Sequence, residues 1–253
     1  MKKMAFLMAL FCLSGLAFVY PQNADDALLT RFTPQIARVG KAKIPYRVAV
    51  IAPENAVGQP ALVVYLHGSK FKGRDNVAQL GGFGVADVLH YFDSVGANVH
   101  FLVPQCPKNR RWSEPEDEGR EMQALVMRLI TDYAAAHSID TSRIYLVGMS
   151  SGGAGVWKLT NDYSDYFAAA LLVASYPRYV VDRIVAKTPV CCVVGELDNI
   201  STTDEVSRFV GKLKIYGGEV RYDVLQGKDH YATCCEGCTP DRLQWLLEHK
   251  RTK

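Results

Sequence analysis

The sequence predicts an α/β fold, with a mostly parallel sheet of about eight strands and helices on both faces. Short apolar runs rich in β-branched residues alternate with helical stretches, which is the order expected of strand–helix–strand units. Runs such as "ALVVYL" and "PVCCVV" are apolar without alternation, as expected when both faces of a strand are covered. In such sheets ligands bind beyond the carboxyl ends of the strands, so functional residues are sought there.

The predicted elements follow the chain in order. Strands are predicted at the apolar runs 44–51, 61–66, 99–103, 143–147, 168–173, 190–194 and 220–225. Helices are predicted at 118–137, 155–163, 203–216 and 241–250. In the first helix, apolar residues that would face the sheet recur at helical spacing: Met122, Leu125, Val126, Leu129, Ile130 and Tyr133. No internal repeat, low-complexity tract or long linker interrupts the series, which favours one domain.

The first residues have the pattern of a secretory signal. Two lysines precede an apolar run that ends near small residues, which is the order of the charged, apolar and cleavage regions of such signals. We therefore expect a signal peptide over 1–17, cleaved after Ala17 or alternatively after Ala24. The remaining 25–253 would be a single domain of a secreted or periplasmic protein.

Two other interpretations of the N-terminal segment are weaker. The apolar run over 4–20 is marginal for an uncleaved anchor, since a membrane-spanning helix needs about 20 apolar residues. Lipid attachment at Cys12 would require a small residue where bulky Phe11 stands. We expect no stable membrane association after signal cleavage, and the sequence leaves the oligomeric state open.

The charge balance argues against nucleic acid as a partner. The chain carries 29 basic and 26 acidic residues, a net charge of +3. Loss of Lys2 and Lys3 with the signal would bring this to +1, so the remaining protein has no electrostatic reason to bind nucleic acid. The glycine-rich run "QLGGFGV" lacks the G-x-G-x-x-G spacing of a dinucleotide site, and no such site is expected.

Cysteine usage favours disulfide bonds over metal. Without Cys12 six of the seven cysteines remain, and an even number in an exported chain is typical of disulfides. Cys235 and Cys238 have the C-x-x-C spacing of metal or redox sites. The adjacent Cys191 and Cys192 would complete a zinc site poorly, since neighbours on a strand point to opposite faces. We therefore expect no metal site, and the serine chemistry predicted below requires no organic cofactor.

The stretch "YLVGMSSGGAGVW" predicts a nucleophilic serine. A buried strand, a glycine-rich turn and a helix start follow one another, as in the nucleophile elbow G-x-S-x-G. The pattern fits around Ser150, whereas Ser151 would require glycine at Met149. Ser150 is therefore the predicted nucleophile.

A serine hydroxyl needs a base and a carboxylate, which follow it in this order in the chain. Among six histidines, only His230 follows both the serine and a late strand, so it is the predicted base. Asp198, three residues after the glycine that ends a predicted strand, is the predicted carboxylate. Glu196 and Asp204 are rivals, the first close to the strand and the second at the start of the next helix.

Acyl transfer also requires N–H donors for an oxyanion. One is expected from the residue after the nucleophile, Ser151, and the other from the loop after an earlier strand, which points to Ser69 in "LHGS". Other residues near strand ends are assigned to the substrate site. They are His67, Trp112, Ser175 and Tyr176. For Trp112, Ser175 and Tyr176, packing is an equally weighted alternative.

Several segments resemble those of the small α/β-hydrolase esterases related to the "predicted peptidase", dienelactone hydrolase and phospholipase/carboxylesterase groups. The similar segments are "YLHGSKFKGRDNVAQL", "FLVPQCPKNRRW", "RIYLVGMSSGGAGVWKL" and "RLQWLLEHKR". The resemblance extends from about Leu62 to Arg251 and implies a single α/β-hydrolase domain without a large cap. It also implies that Ser150, Asp198 and His230 form the catalytic triad.

The chain departs from this family at two places. Its segment "FKGR" replaces the family's GERG near the oxyanion loop, and the family's GHDSW around the histidine is absent. A cysteine-rich loop follows His230 instead, and a disulfide among Cys234, Cys235 and Cys238 would pin that loop.

We therefore expect an exported serine carboxylic-ester hydrolase that acts through an acyl-enzyme. The resemblance implies carboxylic esters, including side-group esters of polysaccharides, as substrates. The export signal, the absence of a large cap and a wall formed by Trp112 favour short-acyl or aromatic esters. A serine peptidase of the same fold is the nearest alternative, and a non-catalytic binding protein on this scaffold is a more distant one.

Overall fold

The computed structural model describes residues 26–113 and 121–252. The predicted signal peptide and Cys12 lie outside the described residues, as does the predicted start of a helix at residue 118. The strands are β1 (Thr33–Val39), β2 (Ala42–Ile51), β3 (Ala61–Leu66), β4 (Val99–Pro104), β5 (Ile144–Met149), β6 (Ala169–Val173), β7 (Val190–Gly195) and β8 (Val220–Leu225). The helices are α1 (Asp26–Arg31), α2 (Val85–Ser94), α3 (Glu121–Ala136), α4 (Ser151–Asp162), α5 (Asp182–Val185), α6 (Thr203–Ile215), α7 (His230–Glu236) and α8 (Pro240–Glu248).

The eight strands form one sheet in the order β1-β2-β4-β3-β5-β6-β7-β8. β2 is antiparallel to β1 and β4, and the remaining pairs are parallel. This mostly parallel sheet confirms the predicted fold class. It also brings the carboxyl ends of β3, β5, β6, β7 and β8 to one edge, where the proposed functional residues lie.

The strand interiors explain why these apolar runs lack alternation. All six residues of β3 are buried. Leu62, Val64 and Leu66 pack into one apolar cluster together with residues of α3, α4 and α6. Val63 and Tyr65 pack into a second cluster together with residues of α2 and α8. Helices therefore cover both faces of the sheet, as the sequence predicts.

The structure adds elements that the sequence pattern does not reveal. β1 is largely exposed and pairs only with β2, across a turn in which Gly40 has φ of 59°. Such an edge strand has no apolar stripe by which it could be recognised. The short helices α1, α5 and α7 likewise bury few apolar residues. No helix in residues 26–113 and 121–252 is long and apolar enough to span a membrane.

Candidate active site

Ser150 lies at a sharp turn between β5 and α4. Its backbone has φ of 52° and ψ of −119°, a conformation that a residue with a side chain rarely adopts. Its N–H donates to the carbonyl of Val173 at the end of β6 (2.9 Å), which holds the turn against the neighbouring strand. The strained turn presents the serine hydroxyl beyond the carboxyl edge of the sheet.

The glycines around Ser150 allow close packing. A Cβ atom on Gly153 would lie 2.3 Å from Oγ of Ser175, and one on Gly155 would lie 2.5 Å from Cβ of Trp112. A Cβ atom on Gly148 would meet Cα of Gly153 at 2.7 Å. Each distance is shorter than a van der Waals contact. These positions therefore require glycine if α4 is to begin directly after the serine.

His230 contacts the serine. Its Nε2 lies 2.9 Å from Oγ of Ser150, although 80 positions separate the two residues. His230 is the first residue of α7, whose N-terminus is capped by Asp229 through a bond from the N–H of Ala232 (2.8 Å). At Gly195 a Cβ atom would lie 2.3 Å from the carbonyl oxygen of Lys228, so a larger residue there would push this loop away.

Asp198 contacts the other side of the same ring. Its Oδ2 lies 2.8 Å from Nδ1 of His230. Its Oδ1 accepts hydrogen bonds from the N–H groups of Ile200 and Ser201, each at 2.8 Å. The hydroxyl of Ser201 in turn donates to the carbonyl of Ala174 (2.9 Å), which ties this loop to the end of β6. The buried carboxylate is therefore fixed in the orientation that faces the imidazole.

The rival carboxylates have other partners. Oε2 of Glu196 accepts from the N–H of Gly227 (2.8 Å). Asp204 lies in the first turn of α6, as the sequence indicates. Among the rival histidines, His100 bonds the Tyr133 hydroxyl and His249 bonds Glu219. The three predicted residues Ser150, Asp198 and His230 thus converge, whereas these rivals are engaged elsewhere.

The predicted oxyanion donors flank the serine. Ser151 begins α4, and Ser69 begins a short 3-10 helix that ends at Phe71. The N–H of the first residue of a helix has no acceptor within that helix, so it can serve a ligand. Gly68, directly before Ser69, is so close to the nucleophile that a Cβ on it would lie 3.7 Å from Cβ of Ser150.

His67, predicted as a residue of the substrate site, is enclosed by the protein and bonded to backbone groups. The residue is completely buried, its Nε2 accepts from the N–H of Cys106 (3.0 Å), and its Nδ1 bonds the carbonyl of Gly68 (2.7 Å). A backbone carbonyl can only accept and a backbone N–H can only donate. Nδ1 therefore carries the proton, Nε2 carries none, and the ring is neutral. Burial lowers the pKa of His67 to about 4. Both ring nitrogens bond backbone groups and the ring has no exposed surface, which favours a positioning role over the predicted contact with substrate.

The remaining predicted substrate residues are mostly packed. Nε1 of Trp112 donates to the carbonyl of His67 (2.8 Å), and the two rings meet edge to face at 5.1 Å. Trp112 and Ser175 are both buried. Tyr176 is half-buried, with the Arg178 guanidinium 4.4 Å from the centre of its ring. Of the four, Tyr176 keeps the most exposed surface.

The remaining observations concern the state of the cysteines and the grouping of side chains that could bind a metal ion. No disulfide bond joins any two of the cysteines in the described part of the chain. The predicted link among Cys234, Cys235 and Cys238 is therefore not formed in this structure. Burial raises the pKa of the Cys191 and Cys234 thiols to about 12. Across the same described residues, no three His, Cys, Asp or Glu side chains are grouped as a metal ion would need.

Sequence reasoning did not find Ser201 or the aromatic residues Phe83 and Tyr231 beside the site. The run "DNIS" after Asp198 is a signal for the first, since aspartate often accepts from N–H groups two and three positions later. The aromatic residues are far apart in the chain, and only the fold brings their rings together.

The chain is similar to known esterases and to a depolymerase. A family model described as Esterase PHB depolymerase matches residues 46–181, more than half of the chain. Poly(3-hydroxyalkanoate) depolymerase C of Paucimonas lemoignei is 34% identical over 68 residues, which are 26% of this chain and 16% of the depolymerase. A solved structure of a thermostable esterase has a TM-score of 0.78 and 25% identity, over 89% of this chain and 64% of the esterase.

A ferulic acid esterase shares the fold, with a TM-score of 0.67 and 14% identity over 86% of this chain and 98% of that one. The chain spans less than two thirds of both the depolymerase and the thermostable esterase.

Proposed function

Because the chain belongs to the esterase PHB depolymerase family, we propose that it is a serine carboxylic-ester hydrolase whose nucleophile is Ser150. The observation that carries this proposal is the chain of hydrogen bonds from Asp198 through His230 to Ser150, at 2.8 and 2.9 Å. These are the distances that a positioned base and its orienting carboxylate require. The same order of roles recurs in serine hydrolases on unrelated folds.

The proposed reaction has two steps, formation of an acyl-enzyme on Ser150 and its hydrolysis, and both steps use His230 and Asp198. His230 takes the proton of Ser150 while Oγ attacks the ester carbonyl, and it returns that proton to the oxygen of the departing alcohol. Water then attacks the acyl carbon while His230 takes its proton, and His230 passes this proton to Oγ of Ser150 as the bond between Oγ and the acyl carbon breaks. Asp198 keeps the imidazole in the tautomer that presents a lone pair on Nε2 and stabilises the ring while it is protonated.

The N–H groups of Ser69 and Ser151 are the proposed donors to the oxyanion. Both begin helices, and the second also adds the partial positive charge of the N-terminus of α4. His67 supports the first, because its ring links Gly68 to the N–H of Cys106 and so fixes the backbone directly before Ser69. We assign His67 a positioning role and no contact with substrate.

The substrate proposed is a short-acyl or aromatic ester, including side-group esters of polysaccharides. The names of the depolymerase and of the ferulic acid esterase add poly(3-hydroxyalkanoate) and feruloyl esters to the set that should be compared. Peptide amides form the second candidate class, retained because the same triad hydrolyses amides on other scaffolds.

We further propose that the protein is exported, on the basis of the charged, apolar and small-residue pattern at its N-terminus. Export would favour a disulfide among Cys234, Cys235 and Cys238 in the mature protein. N-terminal sequencing of the protein recovered from the producing cells tests the first point, with cleavage after Ala17 or Ala24 as the expected result.

The function is tested by labelling and by a substrate panel. We expect a fluorophosphonate to modify Ser150, as located by mass spectrometry, and the protein to hydrolyse p-nitrophenyl acetate and butyrate. The panel then compares acetylated sugars, feruloyl esters, 3-hydroxybutyrate oligomers and peptide amides. Absence of both labelling and ester hydrolysis in the folded protein would overturn the proposal.

A further inference from the structure

A row of aromatic rings connects the two loops on either side of Ser150. Phe71 ends the 3-10 helix that begins at Ser69, and its ring meets that of Phe83 at 5.5 Å. Phe83 in turn meets Tyr231 edge to face at 4.8 Å. Tyr231 directly follows His230. The rings therefore bridge the gap between the proposed oxyanion loop and the proposed base.

Phe83 is held firmly by the residues beneath it. The hydroxyl of Tyr65 donates to its carbonyl oxygen. The next residue, Gly84, has φ of +83°, and a Cβ there would lie 2.7 Å from Cε of Met149 and 2.9 Å from Sγ of Cys238. Met149 is the residue before the nucleophile. The position of the Phe83 ring is thus tied to the strand that presents Ser150.

The row runs from the core to the surface. Phe71 is buried, Phe83 is partly buried and Tyr231 exposes 39% of its surface. A partly buried Phe83 beside a more exposed Tyr231 leaves apolar ring surface that a bound ring can contact.

The proposed reaction fixes the side of Ser150 on which the alcohol part of the ester lies. When the bond from Oγ of Ser150 to the carbonyl carbon forms and the bond from that carbon to the alcohol oxygen breaks, the serine proton passes through Nε2 of His230 to the departing oxygen. The alcohol part of the ester must therefore lie on the His230 side of Ser150. Tyr231 directly follows His230 and its ring contacts that of Phe83, so we place both rings on this side.

We propose that Phe83 and Tyr231 form the binding wall for the alcohol part of the substrate and select esters of ring-bearing alcohols. This inference rests on the proposed function and adds the side of the ester at which selection takes place. The acyl part lies away from this wall and takes no part in the preference.

The test compares two acetates whose alcohols have similar acidity, benzyl acetate and ethyl acetate. We expect the wild type to have a higher kcat/KM for benzyl acetate. In Tyr231→Ala the ratio of the two kcat/KM values should fall about threefold to tenfold, the value of one aromatic contact. Tyr231→Phe keeps the ring and should keep the ratio. Tyr216→Ala, an equally large exposed tyrosine at the far end of α6, serves as the matched control.

A second readout does not depend on turnover of these esters. Benzyl alcohol should inhibit hydrolysis of p-nitrophenyl acetate by the wild type. The inhibition constant should be higher for Tyr231→Ala, because the alcohol binds this variant more weakly. Phe83→Leu removes the opposite ring and should have the same effects. It replaces Tyr231→Ala in the test if that variant does not fold.

An equal loss of kcat/KM for both acetates would overturn the inference, since it would mean that Tyr231 only positions His230. The same holds for a wild type with no preference for the benzyl ester. A folded wild type that hydrolyses no ester would instead overturn the proposed function, and this inference with it.

Discussion

Gly152 and Leu66 approach so closely that a Cβ atom on the glycine would lie 1.9 Å from the carbonyl oxygen of the leucine. The second atom it would meet, the carbonyl carbon of Leu66 at 2.4 Å, is also backbone and cannot rotate away. Helix α4 therefore lies directly against the end of β3, which carries the loop with Ser69. The contact holds the first turn of α4, which begins at Ser151, against the strand that precedes Ser69.

We predict that Gly152→Ala lowers the free energy of unfolding by about 3 kcal/mol or more, because α4 would have to move away from β3. The measurement is urea unfolding followed by circular dichroism. Gly211→Ala is the matched control, since a Cβ on this exposed glycine in α6 meets nothing within 4 Å. It should stabilise the protein by about 0.5–1 kcal/mol. Equal effects of the two variants would contradict the packing argument.

The second prediction concerns Asp198. Asp198→Asn should lower kcat for an ester by roughly 10⁴-fold, because an amide favours the wrong tautomer of His230. The Asn oxygen can still accept from the N–H groups of Ile200 and Ser201, so the fold should be preserved. Glu196→Gln tests the rival carboxylate two positions earlier and should change kcat only a few-fold. If Glu196→Gln carried the larger loss, the assignment of the carboxylate would be wrong.

The third prediction is a pH dependence of stability due to His67. Its pKa is about 4 in the folded protein, because of burial, against 6.5 in the unfolded chain. The unfolded state therefore binds the extra proton between pH 6.5 and 4, and stability falls as the pH decreases through this range. The contribution of this one group is roughly 3 kcal/mol, present in full above pH 6.5.

His67→Gln removes the titrating group, and an amide can still accept from the N–H of Cys106. Its free energy of unfolding should therefore change less between pH 7 and pH 4 than that of the wild type, although its value at pH 7 should be lower. Parallel curves for the two proteins would show that His67 does not remain neutral in the fold.

The fourth prediction concerns thiol reactivity. Burial raises the pKa of Cys191 and Cys234 to about 12, and that of Cys192 and Cys238 also lies above its usual value. These thiols should react slowly with a disulfide reagent in the native protein and rapidly in urea. If the proposed disulfide forms, protein recovered from the medium or periplasm should show two fewer thiols in urea without reductant than the same protein after reduction. An equal number in both samples would exclude the proposed disulfide.

Much of the fold could be predicted from the sequence, because continuous apolar runs such as "ALVVYL" allow few alternatives to a strand with both faces covered. The convergence of Ser150, Asp198 and His230 could also be expected, since all three follow strands whose carboxyl ends meet at one edge. The edge strand β1 could not, because its exposed residues have no apolar pattern to recognise.

The role of His67 could not be predicted for a different reason. Its partner is the backbone N–H of Cys106, 39 positions later, and a backbone donor leaves no trace in the residue types. The contact between Phe83 and Tyr231 is similarly long-range, and it depends on α7, a helix too short to show helical periodicity.

The central claim is that Ser150 is the nucleophile, and hydrolysis of p-nitrophenyl acetate by Ser150→Ala tests it most directly. Loss of a triad nucleophile typically lowers kcat by about 10⁶-fold, so we expect the variant to fall to the rate of the uncatalysed reaction while its unfolding curve stays close to that of the wild type. Ser94→Ala, an exposed serine at the end of α2, should keep full activity. Hydrolysis by Ser150→Ala at the rate of the wild type would show that the nucleophile lies elsewhere.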